Sequence, residues 1–421
     1  MKKNVWLINH YATEMYENNG GRHFFFAKYL KEKGYNPVII CSSFLHNGTK
    51  NYITDNSKYK ICEKDGIPFI FIRTSEYKKN GKSRLKNMIQ FYFGVKKAAK
   101  SIAQSVGKPD VLIGSSVHPL TCVAGIKLKK TFGCKVISEI RDLWPETLVM
   151  FGAVKENGLL AKILYAGEKW IYKKSDNIIF TMEGGKQYII DRGWDKDIEL
   201  SKVFYINNGV DLQQFDTNCR NEVFDDYELD SASYKIIYTG TVSKANGIDR
   251  IISAAEKIQN IVGQNIIFLI YGSGAEQQEL QEYCEEKKIQ NVFFKGKVNK
   301  AKIPYVLSKG NVLIVNYAKE IFESKHNVLR YGGSHNKLFE YLAAGKAILY
   351  AQPSEYNLVE RYQCGLVLDK SDGVEELVNG IVNLYQLSPK EYEDMCKNAR
   401  SAVTDFEYSN LVYKLIGVIE E

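Results

Sequence analysis

Short apolar runs of strand length alternate with segments whose apolar residues recur at helical period, almost from one end of the chain to the other. In the first half this pattern predicts strands at Val5 to Ile8, Pro37 to Cys41, Phe69 to Arg73, Val111 to Gly114, Lys135 to Ile140, Asn177 to Thr181 and Val203 to Ile206. Helices are predicted between them, most clearly over Gly21 to Lys33, Leu85 to Gln104, Pro119 to Lys130 and Leu159 to Lys174. Such alternation is the pattern of repeated βα units around a parallel sheet.

An acidic, aperiodic stretch from Asp211 to Ser233 reads as a linker or surface loop, and the pattern then restarts. Strands are predicted at Lys235 to Tyr238, Asn265 to Tyr271, Val292 to Lys295, Val312 to Val315, Ala347 to Tyr350 and Gly365 to Leu368. The expected fold class is therefore α/β, with two Rossmann-like, doubly wound parallel-sheet domains at 1–205 and 206–403. Such sheets bind ligands outside the carboxyl ends of their strands, so a cleft between two facing domains is the expected active site.

Composition narrows the class. With 421 residues, 45% of them apolar and 25% charged, the chain is long enough for two or three globular domains. It holds no apolar run of the roughly eighteen residues a spanning helix needs, and Met1 to His10 carries two lysines before only a short strand-like stretch. Neither a membrane span nor a secretory signal is expected, and the chain is expected in the cytoplasm. The eight cysteines include no Cys-x-x-Cys pair and are accompanied by six histidines, which argues against zinc and against a disulfide framework. Charge is uneven: residues 1–200 hold 33 Lys+Arg against 19 Asp+Glu, and residues 201–421 hold 24 against 30. A basic first half points to an anionic partner.

The candidate chemistry lies in strand-to-helix loops. Asn19-Gly20-Gly21-Arg22-His23 leads into a predicted helix. Paired glycines there would let phosphate approach exposed N–H groups, with Arg22 as a fixed cation. A plain flexible turn would look the same, because the spacing is not the full dinucleotide fingerprint. In the second half, Tyr238-Thr239-Gly240-Thr241 and the following residues to Asn246 and Gly247 again join strand, glycine loop and helix in the order that receives a diphosphate. Tyr271-Gly272-Ser273-Gly274 repeats the theme, as a nucleotide floor or a simple chain turn.

The most informative block runs from Tyr331 to Lys346 and contains Ser334, Asn336, Lys337, Leu338 and Glu340. Lys337 and Glu340 stand three apart on one helix face. A cation one turn into a helix suits phosphate, and a carboxylate can accept both hydroxyls of a ribose. An exposed salt bridge between the two, worth only about 0.2–0.5 kcal/mol, is the alternative. Glu139-Ile140-Arg141-Asp142-Leu143-Trp144-Pro145 clusters polar and aromatic residues at a strand's carboxyl end, where either a site or a buried ion pair would place them. His118 precedes a proline at a helix start, a position that suits a cap or packed residue as well as a ligand contact. Lys78 to Lys100 mixes lysines with Phe91, Tyr92 and Phe93. Such a helix could lie on an anionic membrane, although a solvated face is the simpler account. No nucleic-acid module is visible.

These residues together resemble the retaining GT-B glycosyltransferases of family 4, and in particular the bacterial branch that builds surface polysaccharides, including N-acetylfucosamine transferases of O-antigen and capsule assembly. The resemblance covers nearly the whole chain. It rests on Gly20-Gly21-Arg22, Arg141 to Pro145, Asn207-Asn208-Gly209-Val210-Asp211, Gly240 to Gly247 and Asn336 to Gly345, in the family's order. It implies a UDP-sugar donor held mainly by the second domain and a saccharide or lipid-linked acceptor held mainly by the first. It also implies no obligatory metal or cofactor, and a last helix, within 404–421, that returns to the first domain.

On that basis Lys337, Glu340, Arg22 and Arg141 are the expected catalytic residues. Gly20, Gly21, Gly240, Thr241, Asn246, Gly272, Ser334, Asn336 and Leu338 join Lys337 and Glu340 around the donor, and His118, Asp142 and Trp144 are expected around the acceptor. Three positions depart from the family pattern. Gly332 stands where its first glutamate belongs, eight residues before Glu340, and Thr241 and Asn246 replace the arginine and lysine common in the glycine loop. A UDP-sugar 2-epimerase of the same architecture and a non-catalytic nucleotide-sugar-binding subunit are the rival readings.

Overall fold

The computed structural model describes every residue except 1, 47, 79–80, 117, 263–264, 319–320, 322–323, 352–354 and 369–372. The chain forms two compact units, 1–207 with 408–421, and 208–407. The division sits two residues beyond the one expected at 205/206, and the returning segment begins at 408 rather than 404.

The first unit is built on eight strands: β1 (Asn4–Ile8), β2 (Asn36–Ser42), β3 (Tyr59–Lys64), β4 (Ile67–Ile72), β5 (Val111–Ser116), β6 (Lys135–Ile140), β7 (Asn177–Phe180) and β8 (Val203–Tyr205). Their order is β3-β4-β2-β1-β5-β6-β7-β8. All neighbours are parallel except β3, which pairs antiparallel with β4. The apolar pattern missed β3, because an edge strand half open to water carries few apolar residues. Its one sequence signal was the turn Asp65-Gly66, both residues at positive φ (50° and 69°), which is the two-residue hairpin loop.

Helices α1 (Thr13–Asn18), α2 (Arg22–Glu32), α3 (Lys82–Val106), α4 (Leu120–Phe132), α5 (Glu146–Met150), α6 (Leu159–Lys174) and α7 (Gly185–Asp191) connect the strands. Residues Thr13–Asn18, between the first predicted strand and the first predicted helix, are thus helical. Successive residues of β1 face opposite ways: Val5 and Leu7 enter a core with α2 and the C-terminal helix, while Trp6 and Ile8 are buried on the other face.

The second unit holds a six-stranded, all-parallel sheet: β9 (Tyr234–Thr239), β10 (Ile266–Tyr271), β11 (Val292–Gly296), β12 (Val312–Asn316), β13 (Ala347–Ala351) and β14 (Gly365–Val367), ordered β11-β10-β9-β12-β13-β14. Its helices are α8 (Leu212–Asn221), α9 (Tyr227–Asp230), α10 (Ile248–Val262), α11 (Gln277–Glu286), α12 (Ile303–Ser308), α13 (Asn336–Ala344), α14 (Leu358–Arg361), α15 (Val374–Tyr385) and α16 (Pro389–Ala402). The stretch Asp211 to Ser233, read as a linker or surface loop, instead carries α8 and α9. Two of its acids cap them: Asp211 accepts from the Gln214 N–H at 2.8 Å, and Asp226 from the Leu229 N–H at 3.1 Å. A third link, Lys295 to Asp226 at 2.7 Å, ties this segment to β11.

The last helix, α17 (Tyr408–Glu420), belongs to the first unit. Tyr408 stacks on Phe25 and meets Phe26 edge-on, with centroids 5.0 and 5.3 Å apart, and Leu411, Val412, Leu415, Val418 and Ile419 are buried. No described helix is long and apolar enough to cross a membrane. Because Leu415 is fully packed between α2 and the sheet, Leu415→Ala is expected to lower the unfolding free energy of this unit by about 2–5 kcal/mol, read from urea denaturation.

Candidate functional site

In the second unit the strand order reverses between β9 and β12, and the residues beyond their carboxyl ends form the first constellation. The ladder continues past the strands: Gly240 N–H donates to the Tyr271 carbonyl at 2.9 Å, Gly272 N–H to that of Gly296 at 2.8 Å, and Val242 N–H to that of Ser273 at 3.1 Å. A Cβ on Gly272, whose φ is 145°, would fall 1.7 Å from the Gly240 carbonyl oxygen. Gly272 is therefore required by the packing of one loop on the next, and its N–H is already used. Asn246, expected to face the donor, donates instead to the Thr241 carbonyl at 2.9 Å and to Ser243 Oγ at 3.1 Å, bracing the exposed loop that carries Thr241.

Helix α13 begins beside this loop. Tyr341 Oη accepts from the Thr239 N–H at 2.9 Å and ties the helix to the end of β9. Ser334 Oγ accepts from the Asn208 N–H at 2.9 Å, and its carbonyl from Asn208 Nδ2 at 2.7 Å. These two hydrogen bonds hold the start of this unit. Asn336 is exposed at the first position of α13. Leu338 is buried in the core and its N–H donates to the His335 carbonyl at 3.0 Å, so neither its side chain nor its N–H is open to a donor.

Lys337 and Glu340 do not pair with each other. Glu340 binds Lys300. Lys337 Nζ lies over the Tyr238 ring, 4.2 Å from its centroid, close enough to Gly240 that a Cβ there would sit 2.9 Å away. The residue keeps some exposure, but its ammonium has none and meets no hydrogen-bond acceptor among the described residues. Burial pulls its pKa down to about 7, with Glu340 acting in the opposite sense. His335 Nε2 is likewise buried and unpartnered among the described residues, and burial lowers that imidazole to about 3. An uncompensated buried cation is costly, and the chemistry that relieves it is an anion.

The first unit presents the complementary case, a carboxylate fully matched. Glu139, at the carboxyl end of β6, accepts from Arg22 Nε at 2.7 Å, His23 Nε2 at 2.8 Å and Ser115 Oγ at 2.7 Å. Burial pushes its pKa up, but Arg22 and His23 outweigh it and hold the group well below the usual carboxylate range. Arg22 also donates to the carbonyls of Ile206 and Asn207 and is 2% exposed. This corrects the expectation that Arg22 faces phosphate: its charge is committed inside its own unit. Gly20 and Gly21 shape the turn before α2. Gly21, with φ 103°, would bring a Cβ within 3.0 Å of the Met15 side chain.

Beside Glu139 runs a chain of imidazoles. His10 Nε2 donates to Asn87 Oδ1 at 2.6 Å, so in the neutral ring Nδ1 must accept, here from His118 Nε2 at 2.7 Å. That leaves His118 Nδ1 as a bare lone pair, buried and without a partner among the described residues. Burial, with Arg84 assisting, lowers His118 to about 3, and burial and His118 lower His10, so both stay neutral near pH 7. Arg141 keeps a buried Nε without a partner among the described residues, Asp142 is exposed and Trp144 is half-buried. No three His, Cys, Asp or Glu side chains among the described residues cluster as a metal would require.

Two family models cover the chain in succession: Glycosyltransferase Family 4 matches residues 24–214, and Glycosyl transferases group 1 matches residues 220–402. The chain is a glycosyltransferase of the group 1, family 4 type. It is 23% identical to the Escherichia coli protein named "Putative colanic acid biosynthesis glycosyl transferase WcaI" over 311 residues, 71% of this chain and 72% of that one. Among solved structures it resembles sucrose-phosphate synthase of Thermosynechococcus elongatus, with TM-score 0.73 and 16% identity over 100% of this chain and 98% of the other. It also resembles Anabaena HepE in complex with UDP, with TM-score 0.65 and 12% identity over the full length of both. The fold of this glycosyltransferase is GT-B.

Sequence reasoning missed the residues that orient the site: Tyr238 and Tyr341 in one unit, and His10, Asn87 and Ser115 in the other. Their signal was weak, a polar group at the end of an apolar strand or inside a helix. Glu139 and Lys337 should separate structural from ligand-binding charge. Glu139→Ala leaves Arg22 buried without a counter-charge and is expected to cost about 3–5 kcal/mol of stability, whereas Lys337→Met should leave the thermal midpoint unchanged or raise it. Differential scanning calorimetry of the two variants checks this.

Proposed function

We propose that this glycosyltransferase moves a hexose, N-acetylated or deoxy, from a UDP-sugar to a saccharide or lipid-linked acceptor, with retention, in the cytoplasmic assembly of a bacterial capsule or O-antigen. The observation that carries the reading is the Lys337 ammonium, buried at the Gly240 loop with no acceptor among the described residues. A donor diphosphate supplies the missing anion, and Glu340, on the same helix face, suits the ribose hydroxyls. The names of WcaI and of the UDP-bound HepE structure support the polysaccharide and the nucleotide, respectively.

In this reading charge that builds on the departing diphosphate is met by Lys337. No carboxylate is assigned as nucleophile, so the leaving phosphate accepts the acceptor's proton. The bare Nδ1 of His118 accepts a hydrogen bond from a substrate hydroxyl, and Arg141, Asp142 and Trp144 complete the acceptor side. Lys337 takes the place of a metal in neutralising phosphate, so turnover is expected to survive EDTA.

Lys337→Ala is expected to reduce UDP release with acceptor on the order of a hundredfold, and Glu340→Ala at least about tenfold, with unchanged circular dichroism. Near-normal turnover of either variant would sink the assignment. Titration gives a second check. Lys337 titrates near 7 when the site is empty, and a bound diphosphate favours its protonated form. UDP binding above that pH therefore takes up a proton, and Kd should rise by up to about tenfold per pH unit. Lys337→Arg, always charged, should flatten the profile in calorimetric titrations.

A further inference from the structure

Three helices of the first unit share one layer. The crossovers from β4 to β5, β5 to β6 and β6 to β7 run in the same direction along the sheet, so α3, α4 and α6 lie on one face of it, with α4 packed between the other two. The amino-terminal halves of α3 and α6 both lie at the carboxyl edge of the strands, the edge that carries His10, His118 and Glu139.

Each of these two helices is apolar on two faces. On α3 one stripe, including Met88, Phe91 and Val95, is buried against the sheet, while Leu85, Ile89 and Phe93, spaced four apart, face water. On α6 Ala161 and Tyr165 are buried while Leu159, Leu160 and Ile163 face water. Exposure of these six outward residues runs from 40% at Ile89 to 76% at Leu159. A solvated helix face is ordinarily polar, so two such stripes on one layer call for a covering surface.

Charge identifies what covers them. From Lys78 to Lys108 the chain carries nine Lys and Arg and no Asp or Glu. Lys82, Lys86, Lys97 and Lys100 are exposed around the α3 stripe, and Lys162 beside that of α6. Lys79 lies outside the described residues. A second copy of the chain meeting this face in an isologous contact would set two acid-free lysine rows against each other, which is repulsive. Apolar residues ringed by lysines match an anionic bilayer, where headgroups meet the ammonium groups and the apolar side chains enter the interface.

We propose that the α3–α4–α6 layer docks the first unit on an anionic lipid surface through both stripes. The purpose, bringing a lipid-linked acceptor to the carboxyl edge of the sheet, rests on the glycosyltransferase reading, but the binding itself does not. The test is cosedimentation of the full chain, without donor or acceptor, with vesicles of phosphatidylcholine alone or mixed with phosphatidylglycerol. Binding is expected only to the mixed vesicles and should weaken with added salt.

The triple variant Leu85→Ser, Ile89→Ser, Phe93→Ser and its counterpart Leu159→Ser, Leu160→Ser, Ile163→Ser should each lower the partition coefficient at least about tenfold. UDP affinity and circular dichroism should stay at wild-type values, because every position is exposed. The proposal is overturned if phosphatidylglycerol vesicles are not bound, if either variant binds as well as wild type, or if sedimentation velocity shows a dimer that the variants dissociate. Failure of the glycosyltransferase reading would appear separately, as absent UDP release with vesicle binding intact.

Discussion

Lys337 places its ammonium on the face of Tyr238, against Gly240, where no oxygen of the described residues receives it. Keeping a cation there disfavours its charged form, which is why its pKa falls to about 7. Much of the second unit's architecture serves that position. Tyr341 fixes α13 to the end of β9, Tyr238 donates through its hydroxyl to the Thr241 carbonyl at 3.0 Å, and Gly240 and Gly272 let two loops approach without side chains between them. A single unmatched charge is thus held by matched neighbours, which is the condition for a preorganised anion site.

The first unit solves the opposite problem. Glu139 is more deeply buried, but each oxygen is occupied, by Arg22 on one side and by His23 and Ser115 on the other. Asn9 completes the set by donating to His23 Nδ1 at 2.9 Å, which fixes that ring with its proton on Nε2, toward the carboxylate. The same logic runs outward through Asn87 and His10 to His118, whose remaining lone pair has no partner among the described residues. Among the described residues, the polar groups at the ends of β1, β5 and β6 therefore divide into a saturated set around Glu139, the open acceptor on His118 and the unpartnered Nε of Arg141. The division follows from hydrogen-bond counting rather than from residue type.

The departures from the family pattern gain a physical setting here. Thr241 and Asn246 occupy places where the resemblance expects cations, and the loop is instead held by neutral hydrogen bonds from Asn246. The cation that faces this loop comes from α13. Gly332, in the place of the expected first glutamate, has φ 93°, a backbone conformation that a glutamate would adopt only under strain.

The periodicity of apolar residues determined the two parallel sheets, the order of most strands along the chain and the strand-to-helix loops that bear glycine, because burial on both faces of a sheet dictates that pattern locally. The i,i+3 spacing placed Lys337 and Glu340 on one helix face, because residues three apart are neighbours on a helix surface. Periodicity could not find β3 or the helices of Asp211 to Ser233, where turns and caps outweigh apolar content. Nor could it distinguish Arg22 from Lys337, two cations beside glycine loops. Only the tertiary structure decided that one meets Glu139 and two carbonyls while the other meets an aromatic face, since a partner 117 residues away leaves no local mark on the sequence.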